Sequence, residues 1–206
     1  MPSSAKQMFF NDHVFNVPEN VYEPAEDSFL FAEYLVSESG KHVLDVGTGC
    51  GILGVVVAAN AARIVAIDIS PYAVRCAREN AELNGVIGKF YFIQGDLLHF
   101  LNVDDKFDLI LFNAPYVPTD YCEDVSWLER AWAGGKTGGE VIDRFICQCP
   151  DHLMPSGRIL LLQSTLSNVE TTLKSFNREG LRAQIVAMRD LPFFESIVLI
   201  EATRAQ

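Results

Sequence analysis

The feature that most limits what this chain can become is an alternation that starts near residue 42. A short β-rich run, HVLDV, leads into glycines and then into the apolar stretch ILGVVVAAN. RIVAID follows, then SPYAVRCARENAELNG, which carries a Ser cap, a Pro at the first helical position and a closing Gly. KFYFIQGD is strand-like. FDLILFN is a continuous apolar run that suits a strand buried on both faces, and GRILLLQS is another. Strands and helices in turn point to a doubly wound, mostly parallel seven-stranded α/β sheet with helices on both faces. Near the C-terminus the rhythm changes. LRAQIVAMRD and FFESIVLIEA flank LPF, whose proline reads as a turn, so an antiparallel hairpin is expected at one side of the sheet.

The 206 residues suit one domain, taken as 1–206. Residues 1–22 read as an irregular N-terminal segment. EPAEDSFLFAEYLVSES then reads as a helix with Phe29 and Leu35 on its buried face. A long loop over 114–138 carries Trp127 and Trp132, and loops of this length are usually functional or mobile. No apolar run reaches the roughly 18 residues that span a bilayer. The opening MPSSAKQMFFNDH has no secretory apolar core, so a cytoplasmic location is expected. The cysteines at 50, 76, 122, 147 and 149 are odd in number and form no Cys-x-x-Cys, and the histidines are scattered. Buried thiols are therefore expected rather than disulfides or a metal site. The net charge of −11, with no basic stretch, argues against a nucleic-acid partner.

The stretch LDVGTGCGILG follows the first strand of the alternation and contains Gly49-x-Gly51-x-x-Gly54. Alone, that match to the dinucleotide fingerprint is weak. Asp45 precedes Gly47, in the spacing Asp-x-Gly-x-Gly-x-Gly. A carboxylate there is awkward beside a pyrophosphate and suits a ligand with an ammonium group and no phosphate. S-adenosyl-L-methionine is such a ligand. Asp68, at the end of VAID, can accept both ribose hydroxyls, although NAD enzymes use the same device. Asp96, after the third strand, could accept from an adenine amino group. Each aspartate alone could equally be a helix cap; three at successive strand tips beside a glycine loop point to a nucleoside site.

Residues 113–116, NAPY, end the fourth strand, beside the crevice where doubly wound sheets bind ligands. A strand-ending Pro with a packed Tyr is the plain alternative. The chemical reading is a planar NH₂ nucleophile. Asn113 offers its side-chain oxygen and Ala114 its backbone carbonyl, set by Pro115. Together they hold both N–H groups and aim the nitrogen at a sulfonium methyl. Tyr116 offers a flat face to the substrate.

Asp-x-Gly-x-Gly-x-Gly followed by Asn-Pro-Pro-Tyr is the pattern of class I methyltransferases acting on planar nitrogens, and this chain resembles them. VYEPAEDSFLFAEYL and RAWAGGKTGGEVIDRF resemble the HemK-type enzymes, more narrowly their short archaeal and eukaryotic branch, over about residues 20–200. The resemblance implies a class I, Rossmann-like fold. It implies N5-methylation of the glutamine in the Gly-Gly-Gln motif of a class 1 translation release factor. It also implies that Ser28, Asp45, Gly47, Asp68 and Asp96 line the cofactor site, and that Asn113 and Tyr116 meet the substrate amide. By the same likeness a small zinc-binding activator protein could add a strand at the edge-like KFYFIQ, where Phe90, Tyr91 and Phe92 follow one another; rings covered by neighbouring helices are the alternative there. One departure stands out: the family has Pro where this chain has Ala114. Lower rigidity is expected from that change, with activity retained and Ala114→Pro restoring any turnover lost to a misplaced carbonyl.

Three other functions remain open on sequence. An adenine-N6 methyltransferase would use the same tetrapeptide but needs a phosphate-gripping surface. A non-catalytic partner protein could keep the fold and lose the reaction. A lysine methyltransferase would need to deprotonate an ammonium, which two carbonyl-type acceptors do little to assist. The 117–138 segment is the candidate grip on a protein substrate, or else a lid over the cofactor.

Overall fold

The computed structural model describes residues 5–38, 40–120 and 126–205. An antiparallel hairpin, β1 (Lys6–Phe10) and β2 (His13–Val17), comes first. This corrects the expectation of an irregular stretch over 1–22. The reversal falls at Asn11, whose φ of 50° lies in the left-handed region that asparagine tolerates. Phe15 and Val17 alternate inward to the core. The outer edge of β2 is completed by two asparagine side chains. Asn84 accepts from Val14 N–H at 3.0 Å and donates to the Val14 carbonyl at 2.8 Å. Asn80 treats Asn16 likewise, at 2.9 and 3.2 Å. Local pattern does not announce a strand whose second partner is a pair of amides 64 and 70 positions away.

The remaining elements are α1 (Glu26–Leu35), β3 (Gly40–Val46), α2 (Ile52–Val57), β4 (Ala61–Asp68), α3 (Pro71–Leu83), β5 (Phe90–Gln94), β6 (Phe107–Asn113), the short α4 (Trp127–Arg130), α5 (Glu140–His152), β7 (Leu153–Ser164), α6 (Val169–Arg178), β8 (Leu181–Asp190) and β9 (Ser196–Arg204). Seven strands make one sheet in the order β5-β4-β3-β6-β7-β9-β8. The first five are parallel, and β9 runs antiparallel to both β7 and β8. The reversed strand thus lies inside the sheet, with β8 at the edge.

The run in β6 shows why this sequence makes such a sheet. Strand side chains alternate, so a run apolar at nearly every position needs a hydrophobic layer on each face. Leu109 and Leu111 enter the core formed with α1 and α2, while Ile110 and Phe112 enter the core formed with α5. Phe112 and Phe145 meet there with ring centroids 4.7 Å apart. The chain steps outward from β3 to β4 and β5, then returns to lay β6 on the other side of β3. Connections that leave β3 and β6 in opposite directions open a crevice at their carboxyl ends. Among the described residues, no helix is long and apolar enough to cross a membrane.

Candidate active site

A cavity of about 670 Å³ occupies that crevice. Its wall runs from the glycine loop after β3, past the ends of β4 and β5, to NAPY after β6. Asn20, Val21, Tyr22 and the start of α1 close one side. Trp127, Arg130 and Trp132 contribute to another. The loop around them is braced: Val117 N–H bonds the Trp132 carbonyl at 2.9 Å, and Thr119 N–H the Gly135 carbonyl at 2.9 Å.

Gly47 lies on the wall, and Gly47, Gly49 and Gly51 all hold positive φ, which lets the loop turn tightly without side-chain strain. Asp45, expected on sequence to line the cofactor site, does not line this cavity. It lies fully buried, on the face of β3 opposite that of Val46, beneath α2. Its Oδ2 accepts from Thr48 Oγ1 at 2.7 Å and from Gly54 N–H at 3.2 Å. A Cβ on Gly54 would lie 3.1 Å from that oxygen and 2.9 Å from the Phe90 ring, so glycine lets the helix close over the carboxylate. Burial pushes the Asp45 carboxyl up to about 7, against the opposing pull of the Thr48 and Gly54 bonds. Its other oxygen has no partner among the described residues. Asp45 thus holds the loop from behind.

Asp68 and Asp96 do reach the cavity. Asp68 accepts from Ser70 N–H and Gly49 N–H, both at 2.9 Å, and each oxygen retains capacity for another donor. Burial raises its pKa, and these backbone donors lower it. Asp96 is ion-paired with Arg144 of α5, so its carboxylate is shared between that guanidinium and the cavity.

Asn113, Ala114, Pro115 and Tyr116 all line the cavity. Asn113 Nδ2 donates to Asp27 Oδ2 at 3.3 Å and to Ser28 Oγ at 3.2 Å. Its Oδ1 is buried and, among the described residues, has no partner. Tyr116 Oη donates to Asp27 Oδ2 at 3.4 Å, and Tyr22 Oη donates to both Asp27 oxygens, at 3.2 and 3.3 Å. Burial, and then the Asp27 carboxylate, hold both phenols well above the usual tyrosine range, so they stay protonated and donate. Ala114 N–H donates to the Leu162 carbonyl at 3.2 Å. The β6–β7 ladder continues through Ala114, with a bond that proline cannot make.

Residues 37–179 match the family described as a methyltransferase domain. A Methanocaldococcus jannaschii protein named as a protein N5-glutamine methyltransferase is 44% identical over 186 residues, covering 89% of this chain and 92% of its own. Human methyltransferase HEMK2 is 36% identical over 181 residues, covering 82% and 84%. The chain belongs to the HemK-type methyltransferases. Among solved structures, the E. cuniculi Mtq2–Trm112 complex shares the fold with a TM-score of 0.67 at 24% identity, over 90% of this chain and 99% of that one.

As a HemK-type class I enzyme, the protein takes its methyl group from S-adenosyl-L-methionine, and the residues present fit that molecule. The cavity is the size of a small-molecule site. Asp68 presents a carboxylate with spare acceptor capacity, and the Asp27, Asp68 and Asp96 carboxylates on the wall suit a cationic guest. Sequence reasoning missed Asp27 and Tyr22. The signal was present in EPAED, but an acidic residue in a first helical turn is also what the helix dipole favours. Of the thiols, Cys50, Cys76 and Cys149 are buried and Cys147 is exposed, while Cys122 lies outside the described residues. Among the described residues, no cluster of His, Cys, Asp or Glu is placed to hold a metal.

Proposed function

We propose that this methyltransferase acts on a glutamine side-chain amide, that of the Gly-Gly-Gln motif in a class 1 release factor. The names of the relatives support the reading: one is named for protein N5-glutamine methylation, and the Mtq2–Trm112 complex is described as acting on the eRF1 termination factor. The observation that carries it is Asn113, whose NH₂ is engaged while its buried oxygen, among the described residues, lacks a donor. A buried acceptor in that state is destabilising by about 1–3 kcal/mol until a donor arrives. The substrate amide supplies one N–H to Asn113 Oδ1 and the other to the Ala114 carbonyl, with Tyr116 packing against its plane. Bound S-adenosyl-L-methionine supplies an electrophilic methyl carbon. Pinning both hydrogens aims the weakly nucleophilic nitrogen and stabilises positive charge as it develops there. No base is needed before attack, because the proton becomes acidic only afterwards. Ser28, Gly47, Asp68 and Asp96 form the cofactor side.

Mass spectrometry of a recombinant release factor, after incubation with enzyme and S-adenosyl-L-methionine, tests the proposal. One methyl group on the motif glutamine is expected, with Asn113→Ala slower by about 10²–10³-fold. Methyl transfer to an oligonucleotide but not to the release factor overturns it. The reading takes residues 1–206 as one methyltransferase domain and, through its substrate, places the enzyme in the cytoplasm.

A small zinc-binding activator protein fits the β5 edge in this reading. Among the described residues β5 pairs only with β4, and Tyr91 is 55% exposed there beneath the Arg63 guanidinium, 4.4 Å from its ring centre. Phe90 is buried and stacks on Phe92 at 5.3 Å. Tyr91→Asp should therefore weaken co-purification with such a partner while leaving the fold intact, and undiminished recovery counts against the site. Phe90→Asp is not a fair probe, because that ring belongs to the core.

A further inference from the structure

Asn113 carries two chemically opposite ends on one planar group, and only the oxygen can accept an N–H from a substrate amide. Which end faces the substrate is decided by what holds the other. Asp27 is 6% exposed and gathers donors on both oxygens. Its Oδ1 accepts Ser28 N–H at 2.6 Å and the Ser28 hydroxyl at 3.2 Å. Its Oδ2 accepts Asn113 Nδ2 at 3.3 Å and the Tyr116 hydroxyl at 3.4 Å. Ser28 has a single hydroxyl proton, and that proton is given to Asp27, so Ser28 Oγ meets Asn113 Nδ2 as an acceptor. Both neighbours of Nδ2 are thus acceptors. Turning the amide over would set an oxygen against a carboxylate and a hydroxyl lone pair.

We propose that Asp27 is a positioning residue for methyl transfer: by accepting from Asn113 Nδ2 it leaves Asn113 Oδ1 for the substrate nitrogen. The consequence for turnover rests on the amide substrate proposed above, whereas the orientation belongs to the enzyme alone.

The isosteric Asp27→Asn tests the effect, and its reciprocal pair with Asn113→Asp separates it from the Tyr22 and Tyr116 hydroxyls that also donate to Asp27 Oδ2. Ser28 N–H is fixed in the backbone 2.6 Å from Oδ1 and demands an oxygen there. The new NH₂ therefore takes the Oδ2 position, against Asn113 Nδ2. Asn113 turns over and presents its own NH₂ to the substrate, donor against donor. The expected result is a fall in kcat of about 100-fold, with cofactor affinity unchanged within about twofold. The reciprocal pair Asp27→Asn with Asn113→Asp exchanges donor and acceptor, keeps one carboxylate, and again leaves an oxygen for the substrate. It should recover at least about tenfold over Asp27→Asn alone. A residue that only supports the fold gains nothing from a second change at Asn113. A readout without substrate is the side-chain amide signal of Asn113 in ¹⁵N-labelled enzyme, identified by its loss in Asn113→Asp. Its protons should exchange with water at least about tenfold faster in Asp27→Asn than in the parent, since they lose an acceptor and face the cavity. A kcat within twofold of the parent, a reciprocal pair no better than Asp27→Asn, or unchanged amide exchange each overturns the proposal. If the parent fails to methylate glutamine at all, the proposed substrate falls, and the exchange rates decide the role of Asp27.

Discussion

Replacing Asn80 should disturb two parts of the molecule at once. Asn80 is 1% exposed on α3, and its amide serves three backbone groups. It accepts from Asn16 N–H at 2.9 Å, donates to the Asn16 carbonyl at 3.2 Å and donates to the Cys50 carbonyl at 2.8 Å. The first two bonds hold the N-terminal hairpin, and the third holds the glycine loop. In Asn80→Ala the Asn16 N–H and the Cys50 carbonyl lose these partners, while the Asn16 carbonyl keeps the Cys76 thiol at 3.3 Å. The buried Cys50 carbonyl at about 1–3 kcal/mol and the part-buried Asn16 N–H at about 1 kcal/mol give a loss of about 2–4 kcal/mol. Asn84, one helical turn on, makes a similar clamp on Val14 but is only half-buried. Water can replace it there, so Asn84→Ala should cost about 1 kcal/mol. Urea unfolding measures both. Isothermal titration with S-adenosyl-L-methionine then separates them, because only Asn80 touches the loop: its variant should bind several-fold more weakly, and Asn84→Ala like the parent. Equal destabilisation by the two variants would refute the burial argument, and unaltered cofactor affinity in Asn80→Ala would refute the link to the loop.

Asp45 predicts a pH effect on stability. Its folded pKa of about 7 lies above the ordinary 3.8, so the fold favours the protonated form. That contribution is fully present below the unfolded value and is lost as pH rises toward 7, on the order of 4 kcal/mol over the window. Asp45→Asn removes this contribution, so the unfolding free energy of the variant relative to the parent should climb through this range in urea titrations; a constant difference contradicts it. Ala114→Pro deletes the bond to the Leu162 carbonyl; a loss of about 1–2 kcal/mol and no gain in turnover are expected, and increased activity would show the ring matters more than the bond. Gly54→Ala should cost about 1–3 kcal/mol by forcing a methyl against Phe90 and Asp45. Gly88→Ala, with nothing within 4 Å, should stay within about 0.5 kcal/mol, and similar values for the pair would remove the packing explanation.

Much of this protein is legible without coordinates, because the relevant signals are local. Alternation of strand and helix patterns, a glycine loop after HVLDV and an amide-proline-aromatic ending on FDLILF each depend on near neighbours, and they locate the sheet, the crevice and NAPY. Side-chain direction and long-range pairing are another matter. Whether Asp45 faces the ligand or the underside of α2 turns on one step of strand parity and on which helix covers that face. The hairpin over residues 6–17 depends on Asn80 and Asn84, supplied by a helix far along the chain. Asp27 and Asn113 stand 86 positions apart, and nothing near either residue says that they meet. The sequence by itself determined the fold and the kind of chemistry, since backbone propensity and hydrophobic periodicity are properties of short segments. Only the tertiary structure decided which atom of Asn113 is left free, because that depends on donors and acceptors brought together by folding.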